Sequence, residues 1–282
     1  MRSSIGTASH SQGLASAGAP WQLRMFSKSI KKRQKVALLL RQLGATEGKA
    51  CLLVTNGDNN GVLNYWFRAH GGDWTWVENE ARQIPEMEAF LGEEVWKGSG
   101  SRIPAEDARF DVVVSIDVHE HLDDCGPFNR ELCRVAKPGA TVVVTTPNGD
   151  PWKPVTVLKN LVGMTKEKYG HVVIGYNVAQ HTAMLSEAGL RVEASGSYSK
   201  LFSELLELGI NFAYVAVLSR KRGAEVPQGT IAPTSRDQMK SVEKQLRLYS
   251  AVYPLFRLVS GFDLLLFPFT GYAVSVVARK PG

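Results

Sequence analysis

The sequence predicts an α/β fold built on a doubly wound, mostly parallel sheet. Three observations carry this expectation. From about residue 46 onward, short apolar runs alternate with helical stretches, the pattern of βαβ units. Two of the runs, Val112-Val113-Val114 and Val142-Val143-Val144, are apolar on both faces, as strands covered by helices on two sides must be. The first run ends in a turn that sets Gly57 and Gly61 just ahead of a helical stretch.

The candidate strands are 50–55, 74–77, 94–96, 110–115, 141–146 and 190–194, with a last one at 272–279. Between the two central runs, Pro127 to Ala136 reads as a helix. Pro lies in its first turn, Phe128, Leu132 and Val135 face the sheet, and Lys137-Pro138-Gly139 ends it. Upstream, residues 1–26 read as a flexible Ser/Ala/Gly tail, and 27–45 as a basic amphipathic helix, stopped by Gly44, that packs beside the core as a lid. Residues 46–200 form the core. After Ser199 the alternation breaks: 201–218 is a helical apolar run and 226–235 a Pro/Gly/Thr linker. Beyond it, Met239, Val242, Leu246, Tyr249 and Tyr253 recur at helical spacing. Residues 201–270 are thus expected to form an apolar cap inserted before the final core strand in 271–282.

The formal charge is +6, yet eight Lys and Arg precede the first acid, Glu47, so the rest of the chain is nearly neutral. A groove that tracks phosphates needs its cations on the folded domain, which weighs against a nucleic-acid partner. Cys51, Cys125 and Cys133 are odd in number and lack CxxC spacing, against a disulfide framework and a cysteine zinc site. A cytoplasmic location is expected, although a Ser-rich, acid-free leader also has the bias of a transit peptide. The longest uncharged stretch, 264–278, is interrupted by Pro268 and Gly271 and falls short of the ~20 residues of a span, so no transmembrane helix is expected. An apolar cap is more often core, but it would also suit a hydrophobic acceptor or peripheral contact with a membrane.

Gly57 and Gly61 let backbone approach a ligand, and the helix behind them offers unpaired N–H groups. About twenty residues on, Glu78 closes the second strand, where a carboxylate can accept ribose hydroxyls. A ligand-free turn and a helix-start carboxylate are the plainer readings of each. The segment Asp117-Val118-His119-Glu120-His121 follows the fourth strand at the sheet edge where ligands of such folds sit. In a helical turn, Asp117, Glu120 and His121 would share one face, a workable oxygen-and-imidazole set for a divalent metal. The plainer reading has the histidine cap the turn or border a substrate pocket.

With these segments the chain resembles the class I S-adenosylmethionine (AdoMet) dependent methyltransferases, particularly the subgroup that includes the ubiquinone-biosynthesis O-methyltransferases. The resemblance rests on 52–61, Glu78, 110–122, 131–139, Thr145-Thr146-Pro147-Asn148 and 186–190, in the family's order, with 272–279 matching again. It implies a seven-stranded Rossmann-like methyltransferase sheet in the order 3-2-1-4-5-7-6, with one antiparallel edge strand. It further implies that Thr55, Gly57, Asp58 and Gly61 hold the methionine part of AdoMet, Glu78 the ribose, and 97–103 with Ser99 the adenine, Ser115 belonging to the same site. Thr55 stands where the family usually has an acid, Asn59 where it has glycine, and Ser99 where an aspartate is common; Asp58 could replace the missing carboxylate. A subset of the family binds a divalent ion through this carboxylate-x-x-Glu-His pattern and a later histidine, so the metal set here would be Asp117, Glu120, His121 and His171.

Methyl transfer is an in-line displacement that depends on alignment and on a deprotonated nucleophile. His121 is the first candidate for general base, with His171 or His119 behind it and Asp117 beside it, because only histidine titrates near neutrality unaided. His10, His70 and His181 are expected in surface or structural roles, and Trp152 and Tyr169 as acceptor contacts. The implied function is methyl transfer from AdoMet to a small or lipid-like acceptor, on oxygen ahead of carbon or nitrogen. The departures at Thr55, Asn59 and Ser99 keep a non-catalytic module of the same fold open, and the metal-type set with the basic leader keeps a metal-dependent RNA 2′-O-methyltransferase open. A nicotinamide dehydrogenase would want glycines at 57, 59 and 62, where Asn59 and Val62 stand.

Overall fold

The computed structural model describes residues 19–57, 60–222, 228–229, 231–233 and 235–282, so Asp58, Asn59, His10 and residues 226, 227, 230 and 234 of the linker lie outside the described residues. Within what was expected to be tail, Trp21–Lys28 forms helix α1, and Ile30–Leu43 forms α2. The basic helix expected over 27–45 is thus α2 alone, and α1 precedes it in residues expected as tail. The break is Ser29, whose hydroxyl accepts from the Lys32 amide at 3.3 Å and caps α2. Helix α1 is held by burial of Trp21, Leu23 and Phe26 and by a 3.0 Å hydrogen bond from the Trp21 indole to Glu86.

The sheet has seven strands: β1 (Ala50–Thr55), β2 (Asp73–Glu78), β3 (Trp96–Lys97), β4 (Phe110–Ile116), β5 (Ala136–Pro147), β6 (Arg191–Tyr198) and β7 (Ala273–Arg279). Their order is β3-β2-β1-β4-β5-β7-β6, as the resemblance implied. Only β7 runs antiparallel, and it pairs with both β5 and β6. The antiparallel strand is therefore second from the edge, not at it, because β6 runs with the others and leaves a slot that β7 fills. Successive residues feed opposite faces. Leu53 and Val114 join the core beneath α2, α3 (Val62–Ala69) and α4 (Ile84–Leu91). Leu52 and Val113 join the core beneath α5 (Gly126–Val135) and α7 (Val178–Glu187). This two-sided burial is why these strands read as continuous apolar runs.

The cap comprises α8 (Leu201–Arg222), α9 (Arg236–Ser241) and α10 (Glu243–Gly261), followed by a 3₁₀ turn over Phe262–Leu266. Among the described residues, one helix, over Leu201–Arg220, is long and apolar enough to cross a membrane, with 33% of its most apolar window buried. Its start is fixed from far along the chain: buried Asp263 accepts from the amides of Lys200 (3.1 Å), Phe202 (2.8 Å) and Ser203 (3.2 Å).

The basic α2 turns Lys31, Arg33 and Lys35 inward, while Arg41 is exposed. Arg33 donates to the Tyr253 hydroxyl at 2.9 Å, and Lys31 meets Glu204 at 3.0 Å. Glu204, fully buried, also takes Lys159 from α6 (Pro154–Leu161) and the Ser199 hydroxyl at 2.6 Å. Burial alone would raise the Glu204 pKa, but the two ammonium groups and these hydrogen bonds hold it at about 2. One carboxylate thereby ties α2, α6 and α8 together. Glu204→Ala should lower unfolding free energy by about 3–5 kcal/mol, since it strands two partly buried cations. A urea midpoint equal to that of the parent chain would show that these charges do not hold the cap.

Candidate active site

The turn after β1 is shaped by Gly57 (φ 76°) and Gly61 (φ 87°), both in the left-handed region. A Cβ at Gly61 would also lie 2.9 Å from the Phe90 ring. Glu78, at the end of β2 and fully buried, collects three donors: Thr55 Oγ1 on one oxygen (2.7 Å), and the amides of Gly57 (2.7 Å) and Glu80 (2.8 Å) on the other. Burial drives its pKa upward while these three bonds oppose it. The carboxylate expected to serve a ribose therefore also clamps the turn. A carboxylate offers about four acceptor positions, which leaves room for one ligand hydroxyl. Thr55, expected at the methionine end, gives its hydroxyl to Glu78.

The neighbouring Asn79 escaped the sequence reading. Its side-chain amide is buried, and neither Oδ1 nor Nδ2 has a protein hydrogen-bond partner. Only glycine fits beside it: a Cβ on Gly98 would sit 2.4 Å from Asn79 Oδ1. Asn60 Oδ1, in the glycine turn, and Ser115 Oγ, on β4, are buried and unbonded as well. Leaving such atoms unsatisfied costs about 1–3 kcal/mol each, so a polar ligand at this edge would have partners waiting. Ser99 is exposed, its hydroxyl 3.5 Å from that of Ser101.

The helical turn expected at Asp117 does not form. Asp117 takes a left-handed φ of 51°, and the turn that follows is 3₁₀ over His119–His121. Its carboxylate is drawn to the ammonium of Lys35, a buried residue of α2 that sequence spacing could not connect to it. Among the described residues the metal-type cluster is accordingly Glu120, His121 and His171, with ligand atoms all within 4.8 Å of one another, and it does not include Asp117.

His121 and His171 are brought together by one side-chain and one backbone bond between their segments. His121 Nδ1 donates to the Gly170 carbonyl at 2.9 Å, and the Val172 amide donates to the Glu120 carbonyl at 2.8 Å. The two rings meet edge-on, 4.9 Å apart. A proton on Nδ1 puts the His121 lone pair on Nε2. The loop carrying His171 is pinned to the end of β5, where the Tyr176 amide donates to the Pro147 carbonyl at 3.0 Å. At that crossing a Cβ on Gly149 would lie 2.2 Å from the Gly175 carbonyl oxygen.

His119, considered as a reserve base, points away from the site. It is fully buried, its Nε2 lies 2.7 Å from Asn129 Oδ1, and burial pushes its pKa down to about 4. It meets His181 edge-on at 5.3 Å, and His181, bonded to Thr146, is lowered by burial to about 3. His70 bonds the Gly44 carbonyl at 2.8 Å, a structural role as expected.

A cleft of about 610 Å³ runs along this sheet edge, lined by Gly57, Asp117, His121, Tyr169, His171 and Tyr198 among others. Exposed Trp152 is not part of it. A second, apolar groove of about 510 Å³ lies between α1, α2 and the cap, with Phe26, Leu205, Ile210, Tyr214, Leu246 and Phe256 in its walls. The two share Lys32, Glu207, Asn211 and Ile231, so one opens beside the other.

Residues 57–144 match the family model described as a methyltransferase domain. A protein of Mycolicibacterium smegmatis named "Probable S-adenosylmethionine-dependent methyltransferase" is 35% identical over 96 residues, 34% of either chain. The ubiquinone biosynthesis O-methyltransferase of Pseudoalteromonas translucida is 31% identical over 125 residues, 39% of this chain and 53% of its own. The chain thus spans about a third to about half the length of these curated relatives. The norajmaline N-methyltransferase of Rauvolfia serpentina is 43% identical over 47 residues, 17% of this chain and 16% of its own. Among solved structures, an S-adenosylmethionine dependent methyltransferase from Mesorhizobium loti aligns with a TM-score of 0.51 at 12% identity, over 86% of this chain and 96% of that one. The [4+2]-cyclase SpnF aligns at 0.53 and 15% identity, over 88% and 81%. At such identities the likeness is one of fold.

The buried histidines set an acid limit. In the unfolded chain each takes up a proton near pH 6.5, but in the folded chain only near pH 4 (His119) or pH 3 (His181). Between those values the unfolded state binds more protons, so stability falls as pH drops below 6.5. Thermal unfolding temperature should decline from pH 7 to pH 5, and His181→Gln should flatten the decline. A parent chain with equal unfolding temperatures at both pH values would refute this account.

Proposed function

We propose that this chain, which carries a methyltransferase domain, moves a methyl group from AdoMet to an oxygen of a small or lipid-like acceptor. The observation that carries the reading is the clamped glycine turn with buried, unpartnered Asn79 beside it. Turn and amide sit at the edge of the sheet where a nucleoside binds in doubly wound folds. AdoMet, when bound, supplies a sulfonium-activated methyl. Gly57, Gly61 and Asn60 would hold its methionine part, the remaining acceptor position of Glu78 its ribose, and Asn79 with the 97–103 segment its adenine.

His121 then faces the acceptor. An alcohol or phenol must lose a proton to attack, and phenols hold theirs to about pH 10, so a base with its lone pair on Nε2 assists oxygen more than an amine, which attacks with its own pair. His171 and Tyr169 border the same cleft. The adjoining apolar groove gives a lipid-like acceptor room for its tail. Such an acceptor resides in a bilayer, so this reading has the cap touch a membrane from the cytoplasmic side. The three described cysteines, all unpaired, fit a reducing compartment.

A second reading is favoured by the cluster of Glu120, His121 and His171, whose donors suit a divalent cation. Such an ion would polarise the acceptor oxygen in place of a base. The His121 Nδ1–H bond to a carbonyl would orient the ring and leave Nε2 as the ligating atom, as it does for histidines that hold metals. The inward-turned cations of α2 weigh against an RNA acceptor, and a cyclase on the same fold keeps a non-methylating module as the alternative.

Three measurements test these roles. Glu78→Ala should weaken AdoMet binding by about 1.5–3 kcal/mol and Asn79→Ala by about 0.5–1.5 kcal/mol in calorimetry, and unchanged affinity in both would mean the cofactor site is elsewhere. His121→Ala should lower kcat by roughly 10²–10⁴ with AdoMet affinity retained, whereas normal turnover removes it as the base. Loss of turnover on treatment with a chelator, restored by Mg²⁺ or Mn²⁺, would select the metal-assisted route over the base.

A further inference from the structure

Among the described residues, a run of exposed apolar side chains lines neither the cleft nor the groove. Leu264 (80% exposed), Leu265 (74%), Phe267 (83%) and Phe269 (65%) lie on one short turn, continued along the outer side of α10 by Leu258 (66%). Trp152 (84%) is exposed as well, and the next residue, Lys153, ties its loop to the end of that turn by donating to the Thr270 carbonyl at 2.7 Å. Contiguous patches of large apolar side chains on this scale mark a partner surface.

The charge around the patch identifies the partner. The ammonium groups of Lys200 and Lys153 are seated on the carbonyls of Leu266 and Thr270, one near each end of the exposed turn. Arg257 adds an exposed cation on α10. The one acid in 244–282 is Asp263, which is buried and spends its oxygens on the amides that start α8. Asp150 is drawn back by the Trp152 amide at 2.9 Å. Leu, Phe and Trp side chains ringed by Lys and Arg are the composition of a segment that lies in the interfacial layer of a bilayer.

We propose that the 264–269 turn, with Trp152 and the outer face of α10, docks the protein on a membrane containing anionic lipid. The turn inserts its apolar side chains while Lys153, Lys200 and Arg257 meet lipid phosphates. Helix α8 stays with the protein body, because the Glu204 ion pairs fall in its first turn. The proposal extends the reading of a lipid-like acceptor, since the helix whose start Asp263 fixes also lines the apolar groove.

Flotation of the full chain with lipid vesicles tests it. The chain should rise with vesicles of phosphatidylcholine and phosphatidylglycerol and far less with phosphatidylcholine alone. Leu264→Glu combined with Phe267→Glu should abolish flotation while calorimetry shows AdoMet affinity unchanged, which also confirms folding. A parent chain that stays at the bottom with both vesicles, or a double variant that floats equally, overturns the proposal. So does a chain that never floats but runs at dimer mass in light scattering and becomes monomeric on Phe267→Glu, since the face would then be a self-interface. Flotation without any methyl transfer would leave the docking surface standing and sink the catalytic reading alone.

Discussion

The geometry of the cleft depends on where the carboxylate of Glu78 lies relative to the ends of β1 and β2. Parallel pairing sets Thr55 opposite Glu78, so the hydroxyl of one strand reaches the carboxylate of the next, and the Gly57 amide folds back onto it. A slip of one residue would turn Glu78 to the other face of the sheet and release the turn. Register is well specified because both faces of these strands are buried. The packing of Leu52 and Leu53 on opposite sides therefore decides whether a nucleoside has a place to sit.

The other wall of the cleft is made by charge. An exposed basic helix is worth little as an adhesive, since surface ion pairs contribute near zero to 1 kcal/mol. Helix α2 instead spends Lys31 and Lys35 on Glu204 and Asp117, where little water competes. Sequence composition shows the cations; only the fold shows that they are consumed. This also explains how a chain of formal charge +6 can lack a phosphate-tracking groove on its N-terminal helix.

The fold was legible where one local pattern decided the outcome. Val112 to Val114 and Val142 to Val144 had to be two-sided strands, and Glu78 and His121 were visible because each follows a recognisable strand at a fixed distance. Pairings across long separations were not legible. Lys35 and Asp117 are 82 residues apart, and neither periodicity nor motif spacing joins them. Asn79 was not legible because its lack of hydrogen-bond partners is a property of its burial. The metal reading failed at Asp117 because a left-handed residue broke the helical face on which the spacing argument relied. Helix α1 was missed for a different reason: it closes a Ser/Ala/Gly-rich stretch whose composition reads as tail, and only its packing shows it as a helix.

The slot taken by β7 has a consequence for how the chain is made. On a ribosome, β5 and β6 emerge with the cap's helices still to come, and β6 has no strand beside it until residues 273–279 appear. The nascent sheet must hold a gap one strand wide for the time taken to translate about seventy further residues, at roughly 5–20 residues per second. An apolar, open-edged intermediate of that lifetime invites chaperone binding, and a nonsense codon anywhere in the cap would yield a product with an unfilled sheet.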